Sequence, residues 1–306
     1  MKTWLGRLIS LVALGYVGYF LFSSIQKISW SDIHFNGLYV ILSLIFGLGY
    51  YLLRNYAWMK LIRLRHFSIN YINAAHFFST AEILRYIPGN VWGLGARVMK
   101  GPRYGIPQEH AGLLLIEETA LLLCSVSVLS GVGVLCITGI NPLWKILGVI
   151  LILSFLLIFI LPFIIKKGLG VLSKLFSLVF SVSDISLRSL FRVLPIYFLL
   201  WISYALSNAF LFYGIFSSTD NTFFLIMVFS VLAWFIGYAS LITPSGLGVR
   251  EFIFSIGLIE RITSIFASLF SLLSRVWLTI LELIFFGVIV LLYKKPIHEK
   301  PIKRIS

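Results

Sequence analysis

Two arginines stand at the ends of glycine-rich interruptions in an otherwise apolar chain, and their surroundings suit the binding of an anion. Arg97 closes the segment Arg85-Tyr86-Ile87-Pro88-Gly89-Asn90-Val91-Trp92-Gly93-Leu94-Gly95-Ala96-Arg97. Arg250 closes Thr243-Pro244-Ser245-Gly246-Leu247-Gly248-Val249-Arg250 and is followed by Glu251. Both segments carry a proline, then Gly-Leu-Gly, one small or branched apolar residue and the arginine. A helix beginning just after such a break offers unpaired N–H groups and a positive dipole end. The guanidinium adds a permanent charge and a fork that matches phosphate. A plainer reading is also open, in which the glycines allow close helix packing and the arginines reach back to the membrane surface.

Acidic residues inside apolar runs come next. Glu117 and Glu118 interrupt Leu113-Leu114-Leu115-Ile116, and Glu282 lies twelve residues before Lys294. A charge placed centrally in a bilayer costs about 2.5–3.5 kcal/mol or more. These acids are therefore expected to face the protein interior and to pair with Arg97, Arg250 or Arg275. Arg275 and Glu282 are seven apart and share a helix face. Either a structural ion pair or a proton- or substrate-coupled role fits such residues.

Other chemistry has no visible seat. His34, His66, His76, His110 and His298 show no metal-ligand spacing. Neither break ends in the GK[ST] of a phosphate-binding P-loop. No nucleophile elbow or extramembrane acidic pair is present, so neither an enzyme nor a cofactor is expected. Cys124 and Cys136, twelve residues apart in one apolar run, are about 18 Å apart along a helix and cannot pair.

The elements that must position these residues are membrane helices. The chain has 306 residues, 59% hydrophobic and 12% charged, with a mean hydropathy of +1.00. Soluble domains run at about a quarter charged, so the sequence describes an all-α, polytopic bundle. Apolar spans are expected near 4–23, 37–53, 111–136, 146–165, 193–215 and up to Tyr293. The first is read as a retained span rather than a signal peptide, because no small-x-small cleavage site follows it. Residues 166–192 read as a basic amphipathic helix in the interface.

The formal charge of +14 is distributed by topology. Lys and Arg gather in alternate connections, which places both termini in the cytoplasm and argues against nucleic acid as a partner. The expected location is the plasma membrane, and residues 294–306 form a basic cytoplasmic tail.

Two segments are less regular. Residues 70–96, carrying His76, Glu82, Arg85 and Pro88, are expected to enter and return on one side. For 222–272 two readings are open. Spans over 222–242 and 252–271 give eight crossings, the favoured count. Alternatively, a hairpin over 222–260 and one helix from about 262 to 293 give six. The count is thus about eight apolar segments with six to eight full crossings. The six-crossing reading divides residues 1–293 into halves 1–140 and 141–293 of opposite orientation, the inverted-repeat plan of many transporters.

At these residues the chain resembles a known family. Leu84-Arg85-Tyr86-Ile87-Pro88-Gly89 with Trp92, Gly95-Ala96-Arg97, Gly105-Ile106-Pro107 and Leu115-Ile116-Glu117 looks like the first signature of the lysylphosphatidylglycerol synthase transmembrane, or flippase-like, family. Pro244-Ser245-Gly246-Leu247-Gly248-Val249-Arg250-Glu251 resembles its second signature, with Ser245 where many members have Gly. The resemblance covers about 5–293 and implies a membrane domain that moves or handles lipids. The full synthases of that family append a soluble aminoacyl-transferase domain, and because the sequence ends about thirteen residues past Tyr293, synthase activity is not expected here.

The expected function is a lipid translocase or lipid-handling protein acting on anionic phospholipid or polyprenyl-linked lipid. Its expected headgroup site comprises Arg97, Arg250, Glu251, Glu117, Glu118, Arg275 and Glu282. Pro88, Gly89, Trp92, Gly95, Pro244, Gly246 and Gly248 are expected to shape the re-entrant loops. The alternative is a non-catalytic partner of a lipid- or glycan-modifying enzyme.

Overall fold

The computed structural model describes residues 34–86, 91–155, 187–216, 222–240, 246 and 248–293. The expected span 4–23, most of the interfacial segment 166–192 and the basic tail lie outside these residues. Every regular element among the described residues is a helix. In order these are α1 (Gly37–Leu64), α2 (Tyr71–Glu82), a 3-10 turn (Ile83–Tyr86), α3 (Val91–Lys100), a second 3-10 turn (Gly101–Tyr104), α4 (Gln108–Cys136), α5 (Pro142–Ser154), α6 (Leu187–Ile215), α7 (Phe223–Ala239), α8 (Val249–Ile259) and α9 (Ser264–Leu292). Four of them, α1, α4, α9 and Leu190–Ile215 of α6, are long and apolar enough to cross a membrane. About twenty residues suffice for that.

Local sequence sets the boundaries. Asn36 opens α1 by accepting the Leu38 amide at 3.1 Å, and Asn70 opens α2 by accepting that of Asn73 at 2.8 Å. Between them, Arg63 donates twice to the Ile69 carbonyl and folds the connection back. Lys145 donates to the Val134 and Leu135 carbonyls at the end of α4, satisfying acceptors that a helix leaves open there. Asn141 and Pro142 start α5.

Two helix pairs are shorter than a crossing. α2 and α3 have 12 and 10 residues, and α7 and α8 have 17 and 11. Both pairs enter and leave at one end of the bundle. Phe67, just before the first pair, touches His110, just after it, with rings 5.1 Å apart. Phe216, before the second pair, meets Phe266, after it, at 5.3 Å. The two ends are opposite, because α1 and α6 lie antiparallel. The His34 and Asn36 amides, before α1, bond to the Ile215 and Gly214 carbonyls at the end of α6.

The expected span 252–271 is not a single helix. α8 stops at Ile259 and α9 begins at Ser264, running unbroken for 29 residues. The interruption falls at Glu260-Arg261. Glu260 accepts from the Trp144 indole at 3.2 Å, and Arg261 donates to the Thr138 carbonyl at 2.8 Å. Charges engaged with the 138–144 connection cannot also continue an apolar helix through the bilayer.

Packing relies on small residues, as expected where lipid removes the hydrophobic contrast between helices. Ser43 and Ser207 each donate to the other's backbone carbonyl, at 2.7 and 2.8 Å, joining α1 to α6. α4 and α5 approach backbone to backbone. A Cβ on Gly131 would lie 2.7 Å from the Gly148 oxygen. Gly131→Ala is therefore expected to cost about 1–3 kcal/mol through overpacking. Gly112→Ala in the same helix, where nothing lies within 4 Å, should cost nothing. Thermal unfolding of both variants in detergent checks this.

Candidate functional site: a neutralised arginine and an arginine without a carboxylate

The first hairpin is fastened by four charges from four helices. Arg54 (α1), Glu82 (α2), Arg97 (α3) and Glu118 (α4) are 5%, 8%, 3% and 2% exposed. Arg97 donates one guanidinium nitrogen to Glu82 and another to Glu118. Arg54 approaches the same carboxylates at 3.2 and 3.7 Å. The Phe78 ring lies under both guanidinium groups, 4.9 Å from that of Arg54 and 4.1 Å from that of Arg97. Such a pairing answers the desolvation of each ion with an opposite charge and an aromatic face. Beside it, Arg65 grips Glu117 bidentately at 3.0 and 2.6 Å.

The second hairpin is built differently. Gly246 and Gly248 have φ of +69° and +85°, a region that favours glycine, and a Cβ on Gly246 would sit 2.6 Å from the Gly237 oxygen. α8 starts directly after Gly248. Glu251 accepts from the Gly248 amide at 2.7 Å and pairs through its other oxygen with Arg275 of α9. Arg250 donates to the Tyr204 hydroxyl and lies over its ring, 5.6 Å from the centroid. Among the described residues no carboxylate pairs with Arg250.

These positions correct the expectation that both arginines follow a helix start. Gly93 and Gly95 lie within α3, which begins at Val91, so Arg97 occupies the last turn. A cation there meets the negative end of the dipole. Arg250 alone stands in a first turn. The different backbone conformations of the two Gly-Leu-Gly segments are the physical reason.

Of the expected headgroup residues, the structure joins Arg97 with Glu118, and Glu251 with Arg275. Glu117 takes Arg65. Glu282 does not share its site with Arg275. It lines a cleft between α1, α2 and α9 with Arg54, Asn55 and Glu82. Trp92 falls in α3, as does Gly95, which faces open space. Pro88, Gly89 and Pro244 lie outside the described residues. Cys124 is buried and Cys136 exposed.

Arg54, Arg65 and Tyr204 are not among the residues expected at the site, and Glu82 figures in the sequence only as a polar residue of the 70–96 segment. The signal for Arg54 was available. Arg54 and Asn55 follow a span judged to end at 53, yet the 3.6-residue pattern of buried positions continues through Trp58 and Ile62.

A third polar contact ties the first hairpin to α9. His76 hydrogen-bonds the Tyr104 hydroxyl at 2.7 Å and stacks on Tyr293 at 3.6 Å. Burial, assisted by Lys100, holds its pKa below the ordinary 6.5. A depressed pKa on a base favours the neutral ring, so its contribution is complete above 6.5 and shrinks as pH falls below that value.

Compared with known proteins, the chain matches no family model and no curated protein. Fold and site together define an all-helical membrane protein with two broken-helix pairs and buried ion pairs.

Two outcomes are expected. Arg97→Met leaves Glu82 and Glu118 short of charge and costs about 3–5 kcal/mol. Adding Glu118→Met restores neutrality and should recover part of that loss, read as a melting temperature above that of the single variant. Between pH 7.5 and 5.5 the wild type should lose more thermal stability than His76→Gln.

Proposed function

We propose that the protein is an integral membrane lipid translocase whose anionic headgroup contact is Arg250, at the start of α8. The observation that carries this reading is the contrast between the two arginines. Arg97 is enclosed and neutralised by two carboxylates. Arg250 is half-buried, donates to a tyrosine hydroxyl with no carboxylate partner among the described residues, and stands at a glycine-capped helix start. Backbone amides and a guanidinium in one place suit a phosphate or phosphodiester. The substrate class is a phospholipid or a polyprenyl-linked lipid phosphate. No catalytic step is part of the proposal.

An inverted repeat supports the transport side of the reading. A long helix, a broken pair and a long helix occur twice, with lengths of 28, 12, 10 and 29 residues and then 29, 17, 11 and 29. Short internal echoes run through both copies at one constant separation. Tyr51-Leu52-Leu53-Arg54-Asn55 corresponds to Tyr204-Ala205-Leu206-Ser207-Asn208, and Gly93-Leu94-Gly95-Ala96-Arg97 to Gly246-Leu247-Gly248-Val249-Arg250. Both asparagines donate to the carbonyl of the tyrosine four residues earlier, at 2.8 and 2.9 Å. Opposed broken pairs are the plan by which many transporters expose one site to either side. On this reading the plasma membrane holds the chain with both termini in the cytoplasm, in line with its basic connections.

The test is movement of fluorescent phosphatidylglycerol and phosphatidylethanolamine across vesicles containing the purified protein. Arg250→Ala should lower the rate at least tenfold and reduce co-purifying anionic lipid in native mass spectrometry. It should melt within a few degrees of wild type. Unchanged movement in a folded Arg250→Ala protein would refute the assignment.

A further inference from the structure

The second half carries an ion pair that the first half lacks at the matching places. Glu251 follows Arg250 directly and pairs with Arg275 of α9. At the separation of the internal echoes these two positions fall opposite Val98 and Leu122, which carry no charge. Capping of α8 does not require the pair. One Glu251 oxygen accepts the Gly248 amide at 2.7 Å, which closes the helix start. The other engages Arg275. Glu251 is 7% exposed, so a partner from another helix holds its charge in place.

Three charges share one neighbourhood here. The buried Tyr204 hydroxyl accepts from Arg250 and lies within electrostatic reach of Arg250, Arg275 and Glu251. Two guanidinium groups against one carboxylate leave these three with a sum of one positive charge. The corresponding group in the first half, Arg54, Glu82, Arg97 and Glu118, sums to zero. The start of α8 also has room beside Arg250, since a Cβ on Gly248 would meet nothing within 4 Å.

We infer that the site admits a lipid phosphodiester with one negative charge and rejects doubly charged phosphates, with Glu251 as the residue that sets this limit. The inference rests on the translocase reading, in which Arg250 is the headgroup contact. A phosphodiester carries a single charge, whereas a phosphomonoester, with a second pKa of about 6, carries close to two at pH 8. The first charge neutralises the three-residue sum. A second would stand uncompensated beside the Glu251 carboxylate in a half-buried place, where like charges are unfavourable. The substrate class thereby narrows to lipids whose phosphate is esterified at both ends. Phosphatidic acid and polyprenyl mono- and diphosphates fall outside it.

The test compares dioleoyl phosphatidylmethanol with dioleoyl phosphatidic acid, which differ by one methyl group and one charge. Each is titrated into the purified full chain in detergent at pH 8, and dissociation constants are read by thermophoresis. Wild type should bind the methyl diester about tenfold tighter or more. Glu251→Gln raises the local sum to two and should erase or reverse that preference, chiefly by tightening phosphatidic acid. Glu251→Gln with Arg275→Gln returns the sum to one and should restore it. A Glu251 that only caps α8 would give the same ratio of affinities in all three proteins. Size-exclusion profiles and melting show which variants are folded, and the wild-type comparison decides even where a variant is not. Equal affinities in wild type, or an unchanged ratio in folded Glu251→Gln, would overturn the charge limit; weakening of both lipids by Arg250→Ala would then still leave Arg250 as the contact. If folded Arg250→Ala binds both lipids as wild type does, the headgroup assignment fails and the charge limit fails with it.

Discussion

A guanidinium removed from water must be met by opposite charge, and the first half of the molecule is organised around that requirement. Arg54, Glu82, Arg97 and Glu118 come from four helices and answer one another almost without solvent. None of these groups could be left behind singly without stranding its partners in low dielectric. The positions of α1 to α4 are therefore mutually specified. Two of these helices are long enough to cross a membrane, and two are not. The charges hold the short pair against the long helices, so that its irregular backbone is enclosed by protein.

The apolar core follows the same division. One cluster gathers residues of α1, α2, α4, α6 and α9, with Val231 of α7, around Trp58, Phe77 and Trp201. The other gathers residues of α4 to α9 around Phe212, Phe229 and Phe270. Each broken pair thus has its own aromatic bed. α4, α6, α7 and α9 contribute to both clusters, and Trp201 of α6 donates to the Ser125 hydroxyl of α4 at 3.0 Å. The seam between the beds is lined by serine and glycine, which lets α1 and α6 approach closely and bond through Ser43 and Ser207.

Much of this was legible in the sequence, for reasons that can be named. Apolar length identified α1, α4 and α6, a single long helix like α9 was the alternative to the favoured count, and the polar residues over 70–96 marked a segment expected to enter and return on one side. That Glu118 would find an arginine inside the protein followed from the cost of a lone buried charge, with Arg97 one of three partners open to it. Other features depended on three-dimensional information. Hydropathy ended the first described span at 53, whereas α1 continues to Leu64 because Arg54 finds its counter-charges in other helices. The glycines of identical Gly-Leu-Gly triplets adopt different conformations, helical at Gly93 and Gly95 and left-handed at Gly246 and Gly248. Composition is the same in both cases and cannot distinguish them. Likewise, an apolar run over 252–271 carries no sign that Glu260 and Arg261 are held by the 138–144 connection.

Ser207 stands where the echo places Arg54, and that difference has a thermodynamic meaning. The first broken pair is clamped by two positive and two negative side chains. The second relies on one described ion pair, Glu251 with Arg275, and a hydroxyl for Arg250. Opening the first pair would expose four coupled charges together, whereas the second can loosen while breaking one. Among the described residues the two broken pairs are thus unequally fastened, the first by four coupled charges and the second by one ion pair.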